Sequence, residues 1–218
     1  MCSARGSSRV VLIVAVIVFV VGGQAGAAAL FNTFCSGNSY NINSGSPVGM
    51  MSGVGNVTEG NQFSLTSLPA CYLDSIELAA ALVTGTNQLT VSLRTDTSGQ
   101  PGSILESFSF IDQMGGLDNN NPLLIGTSIL RPLLAPDTDY WLVASASDDT
   151  LAAWNTSSPE VTGLHAQEVG GGPWTIVTTD LDAFRINGTP AAIPAPGALV
   201  LGGIGMALVG WVRRQKTV

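Results

Sequence analysis

The sequence predicts an all-β protein, a jelly-roll-like β-sandwich that is flanked by an N-terminal signal peptide and a short C-terminal transmembrane helix. Three observations lead to this prediction. In the centre of the 218-residue chain, apolar residues recur with a period of two, and clusters of Gly, Asn, Ser and Pro interrupt them at short intervals. No central stretch shows the 3.6-residue period of a helix. The longest apolar runs lie at the two ends.

The N-terminal segment has the three parts of a secretory signal peptide. Two arginines precede an uninterrupted run of twelve apolar residues, 10–21, and small residues then offer Ala-x-Ala cleavage sites. We expect residues 1–29 to be removed, with cleavage after Ala27 or Ala29. The alternative is an uncleaved signal anchor, for which this run is short because a span needs about 20 residues. Both alternatives predict export of the rest of the chain.

The central segment, residues 30–190, contains short sequences that are typical of β-strands. The predicted strands are residues 76–78, 89–94, 104–110, 140–144, 175–179 and 183–186. Turn-forming residues at 95–102 separate the second strand from the third and predict a β-hairpin. Aromatic and β-branched residues at 140–144 indicate a buried central strand. We expect about eight to ten strands, packed as two sheets.

Residues 30–193 carry a strong negative charge. They contain all 15 acidic residues but three of the eight basic ones, Arg94, Arg131 and Arg185, for a net charge of −12. Such a surface repels polyanions, so nucleic acid is excluded as a partner. It keeps an exported protein soluble and suits a neutral or cationic partner, or bound divalent cations.

Two cysteines remain after the signal peptide is lost, and they predict a disulfide between Cys35 and Cys71 in an oxidising compartment. In the chain-entropy model, closing this loop of about 36 residues stabilises the fold by roughly 3 to 4 kcal/mol. The alternative, a catalytic thiol, needs a base, and nothing places His165, the one histidine, beside either cysteine. We interpret His165 as a surface or strand residue, because no second histidine completes a zinc site.

Acidic and amide side chains in two loops are candidate calcium ligands, because hard cations prefer oxygen donors. The candidates are Asp118, Asn120, Asp148 and Asp149. Plain polar loops are the alternative reading, since no EF-hand spacing is present. No other cofactor is predicted.

Two tryptophans, Trp154 and Trp174, lie in segments rich in Gly, Ser and Pro, where an exposed indole stacks on a sugar ring in many sandwich-fold carbohydrate binders. They are our candidate ligand-binding residues. Packing into the core is the alternative.

The C-terminal segment, residues 191–218, predicts a stop-transfer signal. Residues 198–212 carry no charge, and the basic residues Arg213, Arg214 and Lys216 follow at once. Basic residues are costly to move through hydrocarbon and stay on the cytoplasmic side. At 1.5 Å per residue this helix reaches only about 22 Å of a core of roughly 30 Å, so it must recruit flanking residues or thin the bilayer.

The order Pro194-Ala195-Pro196-Gly197, glycine-rich apolar stretch and terminal basic tail resembles the PEP-CTERM sorting signal of bacterial surface proteins. In that family a Pro-Glu-Pro motif, a transmembrane helix and a basic tail direct proteins to exosortase, a transpeptidase-like membrane enzyme. The resemblance therefore implies an exosortase-like partner and the inner membrane. Ala195 stands where the family has Glu. A plain C-terminal membrane anchor is the alternative.

The pattern of residues 93–105 and 136–143, together with the opening residues 31–34, resembles the choice-of-anchor domains, of which type R is most similar. These are bacterial surface modules defined by their varied C-terminal anchors. The resemblance implies surface display and assigns no reaction and no catalytic residues.

These observations favour a non-enzymatic, exported protein of the cell surface or extracellular matrix. A carbohydrate-binding module acting in exopolysaccharide or biofilm matrix is the alternative, and it requires an exposed aromatic platform. A secreted hydrolase is a third class. It requires Asp148 or Asp182 to face another carboxylate across a pocket.

Overall fold

The computed structural model describes residues 27–147, 149–191, 202 and 205. Between residues 27 and 191 its regular structure is β-strand, apart from a 3-10 turn at Ser36–Asn38, so the predicted all-β class is confirmed. The strands are β1 (Ala28–Asn32), β2 (Tyr40–Met51), β3 (Gly55–Ser64), β4 (Cys71–Leu78), β5 (Ala80–Thr84), β6 (Gln88–Asp96), β7 (Pro101–Ile111), β8 (Gly115–Gly116), β9 (Leu124–Thr127), β10 (Leu133–Leu134), β11 (Asp139–Ala146), β12 (Leu151–Ser157), β13 (Thr162–Val169), β14 (Thr175–Asp180) and β15 (Phe184–Pro190).

These strands form two sheets. The first sheet has the order β1-β15-β4, and the other side of β4 pairs with β9 and β10. The second sheet has the order β7-β6-β11-β3-β2-β12-β5-β8, and the β13–β14 hairpin pairs with β3. All pairs are antiparallel except β5 with β8. The described strands outnumber the eight to ten expected, partly because β8 and β10 are only two residues long.

One large apolar core joins the two sheets. Alternate residues of β6, namely Leu89, Val91 and Leu93, are fully buried, as the period of two predicts. They share this core with Ile76 of β4 and Phe184 of β15. Burying each such side chain stabilises the fold by about 2 kcal/mol, so this alternation is what holds the sheets together.

Five of the six predicted strands lie within observed ones, in β4, β6, β7, β11 and β14, and the sixth, 183–186, begins one residue before β15. The predicted hairpin is β6–β7, and its turn is tighter than expected. The Asp96 carboxylate accepts a hydrogen bond from the Gly99 N–H at 2.9 Å, which fixes the turn and lets both strands extend into residues 95–102. The strand at 140–144 is central, because β11 pairs with β3 on one side and β6 on the other.

Two long strands, β2 and β3, were not predicted. Both are rich in Asn, Gly and Ser, which are typical of turns. Gly45 shows why one of these residues is needed in β2: a Cβ there would lie 2.4 Å from the Trp154 carbonyl oxygen of β12. The glycine therefore allows two backbones to approach closely.

The chain enters and leaves the sandwich at the same end of the first sheet. Ala28 of β1 lies opposite Gly188 of β15, and the Ala191 N–H donates to the Ala70 carbonyl at 2.8 Å. Cleavage after Ala27 would leave β1 whole, whereas cleavage after Ala29 would remove its first two residues.

Most of the predicted targeting segments lie outside the described residues. These are residues 1–26 of the signal peptide, the 194–197 motif, most of the 198–212 helix and the basic tail. Among the residues that are described, no helix is both long enough and apolar enough to span a membrane.

The structure does not contain the predicted disulfide, and the thiols of Cys35 and Cys71 are both free in it. Strand register gives the reason. Asn32 lies opposite Arg185 and Cys71 lies opposite Pro190, so these positions are about 17 Å apart along β15. From Asn32 the chain continues to Cys35 in the direction away from Cys71. A disulfide needs Cα atoms within about 7 Å of each other.

Candidate functional site

Six polar side chains meet inside the sandwich and form what we call the inner polar cluster. Its members are Ser46 of β2, Glu59 and Asn61 of β3, His165 and Gln167 of β13, and Asp182 of the β14–β15 connection. Glu59, Asn61 and Asp182 are fully buried, and His165 is 6% exposed. His165 lies directly opposite Asn61, and Gln167 lies opposite Glu59. Because side chains alternate along a strand, these four share one face of the sheet.

Asp182 is held by a closed set of hydrogen bonds. Its carboxylate accepts from the Asn61 amide at 2.9 Å and from the Ser46 hydroxyl at 2.9 Å. Its own N–H donates to the Asn61 side-chain oxygen at 3.0 Å. Asn61 therefore fixes both the backbone and the side chain of Asp182, which makes it the positioning residue of the cluster.

The carboxylate of Glu59 has fewer hydrogen-bond donors than that of Asp182. Its Oε1 accepts a hydrogen bond from the Gln167 amide at 2.8 Å, but the buried Oε2 has no hydrogen-bond partner. Burial raises the pKa of Glu59 from its ordinary 4.5 to about 7, against the lowering effects of Gln167 and the His165 charge. The carboxylate of Asp182 raises it further. Glu59 therefore holds a proton in mildly acidic conditions.

The His165 ring lies between the two carboxylates. Its Nε2 is 3.4 Å from Glu59 Oε2 and 3.5 Å from Asp182 Oδ2. Burial lowers the pKa of His165, but the contact with Asp182 and the charges of Asp182 and Glu59 outweigh it, so the pKa is raised overall. The cluster therefore binds protons more readily than the same side chains would in water.

This geometry does not fit nucleophilic catalysis. A Ser-His-Asp triad needs the nucleophile and the acid on different ring nitrogens. Here the Ser46 hydroxyl approaches the same Nε2 as both carboxylates, at 3.4 Å. Asp182 does face another carboxylate, Glu59, as the hydrolase hypothesis requires, but both are fully buried and the His165 ring fills the space between them.

The cluster does not fit a metal site either. Zinc ligands lie about 2.0 to 2.3 Å from the ion and leave space for it between them. Here both carboxylates lie directly against Nε2 of His165, which leaves no such space. Among residues 27–147 and 149–191, no group of three or more His, Cys, Asp or Glu side chains could hold a metal ion.

Trp154 is fully buried, which corrects its predicted role in ligand binding. Its indole N–H donates to the Ala183 carbonyl at 3.2 Å, and its ring packs edge-on against Phe184. It therefore belongs to the core. Trp174 is half-buried against the cluster of Trp141 and Ala166, so the described residues contain no pair of exposed indoles that could stack on a sugar.

The candidate calcium loops are exposed, and their polar groups are partly committed elsewhere. In the first loop, which holds Asp118 and Asn120, the Asn121 amide donates to the Gly116 carbonyl at 2.8 Å. In the second loop the Asp149 carboxylate accepts hydrogen bonds from Thr86 and Ser147. Asp148 lies outside the described residues. Calcium binding by these loops stays a prediction.

Most of the inner polar cluster was not predicted from the sequence. Asp182 and His165 were candidates on separate grounds, and Ser46, Glu59, Asn61 and Gln167 had no predicted role. One signal was present: the polar run at 58–62 stands between the apolar Val57 and Phe63. In a strand of period two, Glu59 and Asn61 then share a face with Phe63, which lies in the main core.

Comparison with known proteins gives no further assignment. No protein-family model, no curated protein and no solved structure matches this chain.

Proposed function

We propose that this chain is an exported, non-enzymatic protein of the cell surface or extracellular matrix, which displays one jelly-roll-like β-sandwich. Its C-terminal PEP-CTERM-like signal sorts or anchors it at the inner membrane through an exosortase-like enzyme. One observation carries the proposal: the described chain begins and ends at the same end of one sheet, with Ala28 paired to Gly188. Both flanking apolar segments are then attached at one end of the sandwich and can engage one membrane.

Two further observations support a role without catalysis. Asp182 and His165, which the sequence offers as candidate catalytic residues, are both buried, and His165 Nε2 lies 3.5 Å from Asp182 Oδ2. The sandwich also carries a net charge of −12 without a single lysine between residues 30 and 193, which favours solubility outside the cell. The rival function, a carbohydrate-binding module, loses its main candidate because Trp154 is buried.

The experiment that tests the proposal is the intact mass of the protein recovered from the surface and the medium of its native host. We expect the loss of residues up to Ala27 or Ala29, together with everything beyond about Pro196. Reduction should leave the mass unchanged, because Cys35 and Cys71 are free. A full-length chain recovered from the cytosol would overturn the proposal.

A matched variant isolates the sorting step. Ala195→Glu restores the Pro-Glu-Pro pattern and should raise the fraction of chain that has lost residues 198–218. Replacement of Arg213, Arg214 and Lys216 by Gln removes the stop-transfer charge and should lower that fraction. If neither change alters processing, the segment is not read as a sorting signal.

A further inference from the structure

One loop displays large aliphatic side chains to solvent. In the connection between β9 and β10, Ile129 is 88% exposed and Leu130 is 69% exposed. Leu133 and Tyr72, next to them on the first sheet, are also exposed. Exposed apolar side chains that lie together, rather than singly, mark surfaces that contact a partner or a membrane. We call residues 128–133 the exit loop.

A buried carboxylate holds the exit loop in this conformation. Glu106 of β7 is 5% exposed and reaches across from the second sheet. It accepts hydrogen bonds from the Ser128 hydroxyl at 2.5 Å, the Ile129 N–H at 2.6 Å and the Leu130 N–H at 3.1 Å. These bonds turn the N–H groups of Ile129 and Leu130 toward the interior of the protein. The side chains of both residues project into solvent.

The exit loop lies beside the point where the chain leaves the sandwich. Leu133 of β10 lies opposite Tyr72 of β4, and Tyr72 lies opposite Thr189 of β15. With neighbouring strands about 4.8 Å apart, Leu133 is about 10 Å from Thr189. The Arg131 guanidinium spans this gap, because its Nη2 donates to the Thr189 hydroxyl at 2.8 Å.

We propose that the exit loop is a membrane-contact surface, in which Ile129 and Leu130 insert into the outer face of the bilayer that holds the C-terminal helix. The inference rests on the proposed membrane anchoring. Six residues, 192–197, separate the last described strand region from the uncharged run at 198–212. Fully extended they span about 20 Å, so this end of the sandwich stays close to the bilayer.

The neighbouring side chains suit the headgroup region. The Arg131 guanidinium lies over the Tyr72 ring at 5.8 Å and pairs with the Asp74 carboxylate at 2.5 Å. Tyr rings and Arg side chains place an apolar body in lipid and a polar tip in water. Because the sandwich carries −12 overall, we expect contact with zwitterionic lipid and weaker contact with anionic lipid.

The test is photolabelling of the full chain in phosphatidylcholine vesicles that contain a phosphatidylcholine with a diazirine in its acyl chain. Mass spectrometry then maps the labelled residues. We expect label on the exit loop as well as on residues 198–212. The variant Ile129→Ser/Leu130→Ser should lower labelling of the loop at least fivefold. Both residues are exposed, so near-ultraviolet circular dichroism of the variant should match the parent.

The control variant is Val83→Ser/Ile111→Ser, which removes aliphatic residues of β5 and β7 that are 43% and 59% exposed and lie outside the exit loop. It should leave loop labelling unchanged. Replacing a third of the phosphatidylcholine by phosphatidylglycerol should lower labelling of the loop more than labelling of 198–212.

The outcomes separate this inference from the proposed function. Label on 198–212 without label on the exit loop overturns the inference and leaves anchoring intact. Absence of label from both regions, in a chain that does not float with the vesicles, contradicts both proposals. Crosslinks that join two copies through Ile129 would show that the loop binds a second copy, and they would also overturn the inference.

Discussion

Two buried glutamates of this sandwich are held in opposite ways. Glu106 lies between the sheets and accepts three hydrogen bonds, two of them from backbone N–H groups. Glu59 lies in the inner polar cluster, accepts one hydrogen bond from Gln167, and has a second oxygen with no hydrogen-bond partner. Both side chains are at most 5% exposed, so the difference lies in the donors and not in the depth.

This difference shows what a buried carboxylate needs. Backbone donors cannot rotate away or change their charge, so Glu106 has lasting partners and serves as a structural clamp. Glu59 faces the side chain of His165, which itself titrates, and burial raises the pKa of Glu59 to about 7. We therefore expect Glu106 to respond to mutation and Glu59 to respond to pH.

The largest expected effect follows from removing the clamp. Glu106→Ala leaves the Ser128 hydroxyl and the two N–H groups of Ile129 and Leu130 without their acceptor, which should lower the free energy of unfolding by about 3 kcal/mol. Urea denaturation monitored by tryptophan fluorescence measures it. Ser107→Ala, at the exposed neighbouring position, is the control and should change stability by less than about 0.5 kcal/mol.

A loss below about 1 kcal/mol for Glu106→Ala would contradict the role of Glu106 as a structural clamp. It would mean that water replaces the carboxylate at little cost and that the exit loop does not depend on Glu106. Hydrogen exchange at the amides of Ile129 and Leu130 provides a second measurement, since these amides should exchange faster in the variant.

The second effect is a pH dependence that belongs to Glu59. The unfolded carboxyl ionises near 4.5, but the folded one keeps its proton until about pH 7. The folded state therefore binds more protons in this window, and the free energy of unfolding should fall by about 2 kcal/mol between pH 5 and pH 8. The raised pKa of His165 acts in the same direction.

Glu59→Gln should flatten this pH dependence, because the amide keeps the shape of the side chain and does not titrate. We expect the variant to match the parent near pH 5 and to be more stable than the parent at pH 8. Denaturation curves at four pH values provide the measurement, with Glu168→Gln on the same strand pair as the control. A parent protein whose stability rises from pH 5 to pH 8 would contradict the assignment.

The main strands could be predicted because apolar and polar residues alternate along them, as buried and exposed positions do in a strand. Leu89, Val91 and Leu93 show the period of two directly, and the hairpin turn at 97–100 has the residues that turns require. The strand β3 could not be predicted this way, since Glu59 and Asn61 occupy inward positions that normally hold apolar side chains. A polar pair at such positions is acceptable only where other segments supply partners, and those partners are over 100 residues away.

Two other expectations differ from the structure, because both depend on how the strands are paired. The pairing of Cys35 with Cys71 was inferred from their number and compartment, but their register along β15 places them far apart. Trp154 has polar neighbours in sequence, yet it lies on a strand that pairs on both sides, with β2 and β5. Local composition carries no information about either outcome.

The last prediction concerns the stability lost when either of two serines is replaced. Each serine donates a hydrogen bond to one of the buried carboxylates. Ser128 donates to Glu106 at 2.5 Å and also accepts from the Arg131 N–H at 2.9 Å, whereas Ser46 is half-buried and donates to Asp182 at 2.9 Å. Ser128→Ala should therefore lower the free energy of unfolding by about 2 kcal/mol and Ser46→Ala by about 1 kcal/mol. Asp182 keeps the Asn61 amide as a side-chain donor when Ser46 is lost, whereas Glu106 keeps the backbone N–H groups of Ile129 and Leu130 when Ser128 is lost. Paired urea denaturation of the two variants at pH 6 measures the difference, and a larger loss for Ser46→Ala would mean that the inner polar cluster, and not the clamp between the sheets, is the more rigid of the two sites.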